Sequence, residues 1–427
     1  MNTSNEKGNY LFSKGYTNYV FILLFLLYMF DYIDRVVVTS MFTSIERDMG
    51  ITHTQSGMLV SAVYWSIVLL TFPVSILVDR WSRRKTIAIM SVLWSLATVL
   101  CAFTGTFTQL FLARMLVGVG EAGYAPGGTA MISGMYPADK RAKIMGLWNA
   151  SIPMGTAIGI LLGGIIATYW GWRHAFGLVA LPGLVVAVAF FFIKDYKTVD
   201  LSYSDASHHK VKMHFKDILK EFLTKPSLIF TYFGMAAVVF VTTSMITWLS
   251  SYFEVTRGLA PGKAGTMSSM VMGLAIVGAP VGGYLADRWR KRNVKARLLF
   301  PTLTTLLASI FLFIALFFTQ GLLQYILFLC FGIFITMFVS AAAAVTQDVI
   351  HAGLWAASYA IAVVIQNLLG ASMAPIIMGT IYDNYDISTA FKVLPFMLIL
   401  GSLLFYLGSR HYENDLHKVP DYKIESE

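Results

Sequence analysis

The residues best placed to do chemistry are charges standing in apolar surroundings. Asp31, Asp34 and Arg35 lie inside a hydrophobic run that starts near Tyr19 and continues past Val38. Within a membrane-spanning helix each such charge costs on the order of 2.5 to 3.5 kcal/mol on insertion scales, so it is kept for pairing or for work. Asp31 and Arg35 are i,i+4 neighbours and Asp31 and Asp34 are i,i+3, so much of this charge can share one face. That face should look into a polar cavity. A second set, Arg114, Gly118 and Glu121, has i, i+4, i+7 spacing and also shares a helix face. Glu121, with desolvation and an adjacent arginine acting on it, is either a permanently paired structural carboxylate or a site that gains and loses a proton. The proton-handling candidates are therefore Asp34, Glu121 and Asp31. Arg35 and Arg114 are candidates for contacting a negative group, and Tyr124, a turn beyond Glu121, is a further substrate candidate.

The elements that must position these residues follow from composition. Of 427 residues, 57% are hydrophobic and 13% charged, against roughly 25% charged in soluble domains, which indicates a polytopic membrane protein. Apolar runs of about 20 residues predict helices near 17–40, 55–78, 86–104, 107–131, 142–168 and 174–193. Six more follow near 227–253, 264–285, 296–318, 321–346, 353–381 and 390–409. The expected architecture is all-α, with twelve transmembrane helices in two pseudo-symmetric six-helix bundles. Its divisions are a cytoplasmic tail (1–16), an N-terminal bundle (17–193), a cytoplasmic linker (194–226), a C-terminal bundle (227–409) and a cytoplasmic tail (410–427). The first apolar run is too long for a signal-peptide core and is expected to remain as a span.

Depth follows from a rise of about 1.5 Å per residue: Asp34 and Arg114 should each lie roughly 8 to 12 Å below the outer boundary, with Glu121 roughly 10 Å deeper. Asp34 is thus expected to pair with Arg114. The loops after spans 2, 4, 6 and 8 hold twenty Lys and Arg residues, whereas the opposite loops hold Arg47, Arg173, Arg257 and Lys263. This excess places both termini in the cytoplasm of a cell bounded by an inner or plasma membrane. The net charge of +9 is accounted for by these loops, and no nucleic-acid recognition fold is visible. Cys101 and Cys330 sit in apolar runs, so no disulfide framework is expected.

Asp79-Arg80-Trp81 after span 2 recurs as Asp287-Arg288-Trp289 after span 8, an offset of 208 residues. Repeated halves are a common construction for secondary transporters. Adding the offset carries Asp34 to Thr242, Arg35 to Thr243, Arg114 to Leu322 and Glu121 to Leu329, so the second half lacks the charges. It offers neutral polar groups instead: Thr243, Thr247, Tyr359, Gln366 and Asn367 are candidates for hydrogen bonds to substrate. Asp79, Arg80, Arg83, Arg84, Asp287 and Arg288 are gating candidates, because a carboxylate facing a helix N-terminus or loop arginines can hold a gate shut. Gly155, Gly159 and Gly163 give span 5 a smooth ridge for close packing or sliding. The segment from Lys194 to Lys225, with seven lysines and His208, His209 and His214, reads as a solvated connector and not a metal site. No metal or other cofactor is expected besides protons.

These residues together resemble the major facilitator superfamily from Tyr19 to about Arg410. Its inter-helix motif, G-x-L-a-D-R-x-G-R-R, looks like Ser75 to Arg84, with serine replacing both glycines, and the second copy keeps Gly283, Asp287 and Arg288. Asp34-Arg35, Arg114 with Gly118-Val119-Gly120-Glu121-Ala122, and Gly171-Trp172-Arg173 resemble two branches, the anion:cation symporters and the Spinster-like proteins. The resemblance implies alternating access, with proton roles on Asp34 and Glu121 and charge management on Arg35 and Arg114. Asp31 is an added acid that could neutralise Arg35. The function expected is proton-coupled transport of an organic anion or amphipathic acid by a monomer embedded in membrane lipids. The alternatives are a Spinster-like lysolipid carrier and a non-transporting membrane sensor. An enzyme is not expected, because no nucleophile triad, metal-ligand cluster or phosphate loop is found.

Overall fold

The computed structural model describes residues 11–80, 82–194, 224–351 and 354–418, and every regular element among them is helical. Most of the predicted 194–226 linker and the far C-terminal tail lie outside the described residues. The first span is α1 (Lys14–Val36), continued by a 3-10 segment (Val37–Met41) and a short α2 (Phe42–Met49). Then come α3 (His53–Arg80), α4 (Arg83–Cys101), α5 (Phe107–Glu121), α6 (Tyr124–Met135), α7 (Ala138–Asn149), α8 (Ser151–Trp170) and α9 (Trp172–Phe190). The second half holds α10 (Pro226–Arg257), α11 (Pro261–Gly273), α12 (Ala275–Arg290), α13 (Ala296–Phe317), α14 (Gly321–Phe334) and α15 (Val339–Asp348). It ends with α16 (Trp355–Ile365), a π-helical segment (Gln366–Ala371), α17 (Ala374–Asn384) and α18 (Ile387–His417).

Side-chain caps set several starts. Ser13, Ser82 and Thr106 accept from the backbone N–H three residues on, at 3.4, 3.1 and 3.4 Å, and so open α1, α4 and α5. Gly50, at φ +64°, ends α2 in the left-handed conformation that glycine supplies without strain. Ten helices among the described residues are long and apolar enough to cross a membrane. The remaining two predicted spans are α1, which carries Asp31, Asp34 and Arg35, and the fourth, which is interrupted at Ala122–Gly123 between α5 and α6.

Close packing depends on glycine. A methyl on Gly155 would lie 2.4 Å from the Met29 carbonyl oxygen, and one on Gly163 would lie 2.6 Å from that of Val37. The four-residue glycine ridge therefore seats α8 directly on the α1 backbone. Gly278 and Gly282 do the same for α12, where a methyl would lie 2.1 and 2.3 Å from the carbonyls of Ile333 and Met337.

By internal packing the chain forms two compact units. Unit 1 contains residues 1–197, 244–273 and 375–387; unit 2 contains 198–243, 274–374 and 388–427. Unit 1 thus joins the first half to the last turns of α10, to α11 and to most of α17. This grouping reflects packing at one end of unit 1, the end marked by α2. There Phe42 and Trp248 are buried with ring centroids 5.0 Å apart, and Trp248 Nε1 donates to the Pro375 carbonyl at 3.2 Å.

Candidate functional site

Arg35, in the last turn of α1, is the centre of a buried charge cluster in unit 1. Its Nη2 lies 2.8 Å from Asp31 Oδ2 and 2.9 Å from Glu121 Oε2, and its Nε donates to the same Glu121 oxygen at 3.1 Å. One arginine is therefore clamped between an acid of its own helix and an acid of α5. The guanidinium also lies over the rings of Tyr32 and Tyr64, 4.5 and 5.6 Å from their centroids, where the π face favours a cation. Asp31, Asp34, Arg114 and Glu121 are all at most 3% exposed and Arg35 is 9% exposed.

Arg114 does not form the expected ion pair with Asp34. Its Nη1 and Nη2 donate to the backbone carbonyls of Asp34 and Arg35 at 2.9 and 2.7 Å, and its Nε donates to that of Leu59 at 3.3 Å. The cause is the change from α to 3-10 geometry after Val36, which frees carbonyls that a continuous helix would use. Thr39 and Ser40 hydroxyls take up two more of these, donating to Val36 and Val37. A guanidinium spent on three carbonyls keeps α1, α3 and α5 together; the Asp34 carboxylate lies beside Thr98, whose hydroxyl donates to the Trp94 carbonyl at 3.0 Å, and neither of its oxygens has a hydrogen-bond partner by geometry. Asp31 Oδ1 and Glu121 Oε1 are likewise buried without a hydrogen-bond partner.

The cluster thus contains three carboxylates, Asp31, Asp34 and Glu121, and two guanidiniums, Arg35 and Arg114. With every group ionised it carries one net negative charge away from water, a costly arrangement. One added proton makes it neutral. That proton would find an acceptor oxygen already unpartnered on any of the three acids.

Tyr124 lies beside the cluster as packing in this state: its hydroxyl donates to the Leu24 carbonyl, and its ring sits 5.4 Å from Tyr28 and 5.5 Å from Trp94. Thr247 is fully buried in unit 1, its hydroxyl without a partner. Thr243, Tyr359, Gln366 and Asn367 belong to unit 2. Of these, Thr243 is buried, Tyr359 is exposed, and Gln366 Nε2 donates to the Ala362 carbonyl at 3.0 Å as the π-helical segment begins. Among the gating candidates, the side chains of Asp79 and Arg80 lie outside the described ones. Arg83 opens α4, and Arg84 donates to the Ile193 carbonyl at 2.8 Å. Asp287 pairs with Arg297 at 2.9 Å, within unit 2. Arg288, Asp287, Tyr284, Lys291 and Arg292 line a cavity of about 450 Å³.

Sequence reading missed Tyr32 and Tyr64 as partners of Arg35. Tyr32 could have been found, since it lies three residues before Arg35 on the same helix face; Tyr64, on α3, gives no such signal.

A sequence model of the Major Facilitator Superfamily matches residues 24–372. The hexuronate transporter of Bacillus subtilis is 26% identical over 293 residues, covering 68% of this chain and 69% of that protein. Protein spinster homolog 1 of Bos taurus is 27% identical over 424 residues, covering 93% and 80% respectively. Among solved structures, a bacterial homolog of the human lysosomal transporter Spinster, in an inward-facing and occupied conformation, superposes with a TM-score of 0.83. That match has 21% identity and covers 95% of this chain and 99% of that one, which is a likeness of fold.

Proposed function

Starting from the fact that this chain belongs to the major facilitator superfamily, we propose that it is a proton-coupled transporter of an organic anion, working by alternating access. The coarse part is established: it is a multi-pass membrane transporter of that superfamily and not an enzyme. The finer reading is carried by one observation, the buried excess of one carboxylate over guanidinium around Arg35. Arg35 already has two acids within 2.9 Å, so an incoming anion must displace one. Protonating Glu121 or Asp31 removes a competitor and leaves Arg35 free to hold a substrate carboxylate in a bidentate geometry. Proton and anion then favour each other's binding, which is the thermodynamic content of symport.

Arg114 fixes the α1 break and stays charged throughout. Thr247, buried in unit 1 with its hydroxyl unpartnered, would supply a hydrogen bond to a hydroxyl of the substrate. The hexuronate transporter of Bacillus subtilis, by its name, carries a hydroxylated acid of this kind. Charge in the loops supports termini on the cytoplasmic side of an inner or plasma membrane, and the protein would act as a monomer.

Uptake into proteoliposomes tests the reading. In Glu121→Gln, accumulation driven by a pH gradient should be lost while counterflow exchange persists; retained uphill uptake refutes it. A second reading, an amphipathic lipid carrier, is favoured by the spinster homologues' coverage of 93% of the chain. A lysolipid arm in the same assay, with flux of lysolipid and none of sugar acids, would select it.

A further inference from the structure

A second group of titratable side chains lies at the α2 end of unit 1, apart from the Arg35 cluster. It is assembled from three parts of the chain: the α2–α3 turn, the last turns of α10 and the end of α17. Glu46 Oε1 accepts from the Ser56 hydroxyl at 2.7 Å and lies 3.0 Å from His53 Nδ1. The His53 ring stacks on Tyr382, with centroids 3.5 Å apart and planes within 4°. Asp383, next to that tyrosine, accepts from the backbone N–H groups of His53 and Thr54 at 2.9 and 2.8 Å and from the Thr54 hydroxyl at 2.5 Å. It therefore caps the first turn of α3 from another segment, where an ionised carboxylate is favoured. Glu254, near the end of α10, accepts from the Thr43 hydroxyl through one oxygen; its other oxygen is buried with no hydrogen-bond partner. Arg47 of α2 faces Glu254, and Asp386 beyond α17 faces Tyr382.

The packing around these groups is tight. A methyl on Gly57 would lie 2.3 Å from the Pro375 carbonyl oxygen, and one on Gly379 would lie 2.5 Å from that of His53. This end thus brings together four acids, with Arg47 and His53 among the groups that offset them. Asp383 is served by three donors and needs its charge. Glu254 has a buried oxygen without a hydrogen-bond partner, on which a proton can sit, and a charged imidazole between Glu46 and the Tyr382 ring is better accommodated than a neutral one.

We propose that Glu46, His53 and Glu254 form a second protonation site, whose occupation fastens the α2 end of the protein shut. It goes beyond the transport reading, because it requires neither Glu121 nor a substrate. If the α2 end faces outward, as the loop charges support, the site responds to the pH outside the cell. A closed form that holds more protons than the open form gains up to about tenfold in population per pH unit for each extra proton.

The test is a distance measurement by pulsed electron paramagnetic resonance in lipid nanodiscs, where both faces meet the same pH. Spin labels go on Phe103→Cys and Tyr385→Cys, both exposed loop positions, with Cys101 and Cys330 replaced by alanine. Between about pH 8 and pH 5, across the range in which histidine titrates, the short-distance population should rise at least about tenfold relative to the long. Glu254→Gln should populate the short distance already at the higher pH, and Glu46→Gln with His53→Gln should flatten the response. Glu121→Gln should leave it intact. An unchanged distribution across the range overturns the proposal, as does a wild-type response when Glu46→Gln, His53→Gln and Glu254→Gln are combined. Loss of the response in Glu121→Gln would assign the proton to the Arg35 cluster, ending this proposal while leaving the transport reading standing.

Discussion

α1 and α10 occupy equivalent places in the two halves, and they solve the same problem differently. α10 runs unbroken from Pro226 to Arg257, and Thr242, the counterpart of Asp34, turns its hydroxyl back to the Val238 carbonyl at 3.0 Å. α1 stops at Val36, passes into the 3-10 segment and exposes carbonyls that Arg114 binds. At the position equivalent to Arg114 the second half has Leu322, which is exposed. Charge and irregular backbone occur together in this pair of helices: the unbroken one has no spare carbonyls for an arginine, and the broken one, buried among helices, presents carbonyls that need a donor. In the first span the change of helix geometry and the buried carboxylates fall within the same few residues.

Replacing Arg114 by leucine, which copies the second half, should produce the largest effect. Two well-formed bonds to buried carbonyls are lost, at roughly 1 to 3 kcal/mol each. Thermal unfolding in detergent should show a large drop in stability, while Leu322→Ala should change it little. Equal, small effects of both would break the comparison. Asp31→Asn comes next. It removes one of two negative partners from Arg35, and apparent affinity for the anionic substrate should rise about tenfold, or 1.4 kcal/mol. Substrate titration by tryptophan fluorescence, repeated at several pH values, should also show a weaker pH dependence, because the cluster is then neutral without an added proton. Unchanged affinity would mean that Arg35 does not receive the anion.

The smallest effect belongs to a pair at the surface. Asp48 accepts from Arg173 and, at 3.2 Å, from Trp172 Nε1. The Arg173 hydrogen bond holds its carboxyl below the usual aspartate value, against a small opposing effect of burial. A lowered value in the folded protein means that the contribution is present at neutral pH and lost as pH falls below about 4. Since the carboxylate is 45% exposed, Asp48→Asn should cost under about 0.5 kcal/mol by the same unfolding measurement.

Much of the fold was legible in the sequence because apolar run length and loop charge report directly on spans. The breaks were not: the predicted 107–131 helix divides at Ala122–Gly123, and α1 ends before its apolar run does, since hydropathy does not sense where a helix changes its hydrogen-bonding pattern. The same blindness explains the misplaced partner of Arg114. Spacing put Asp34 and Arg114 at similar depth, but the donor met the backbone of residue 34 and not its carboxylate. Asp31 against Arg35 was legible because an i,i+4 relation fixes distance within one helix. The cluster of Glu46, His53, Glu254 and Asp383 was invisible, because its members lie up to 337 positions apart and each looks like an ordinary loop or helix-end polar residue.

The seating of α8 on α1 has a consequence for inheritance. With Gly155 and Gly163 set against the carbonyls of Met29 and Val37, and Gly159 against Ile33 between them, neither strut can be re-angled without dragging the other. Substitutions scattered along α8 should therefore mimic lesions near Arg35, and second-site revertants of an α8 glycine variant should turn up among small side chains on α1.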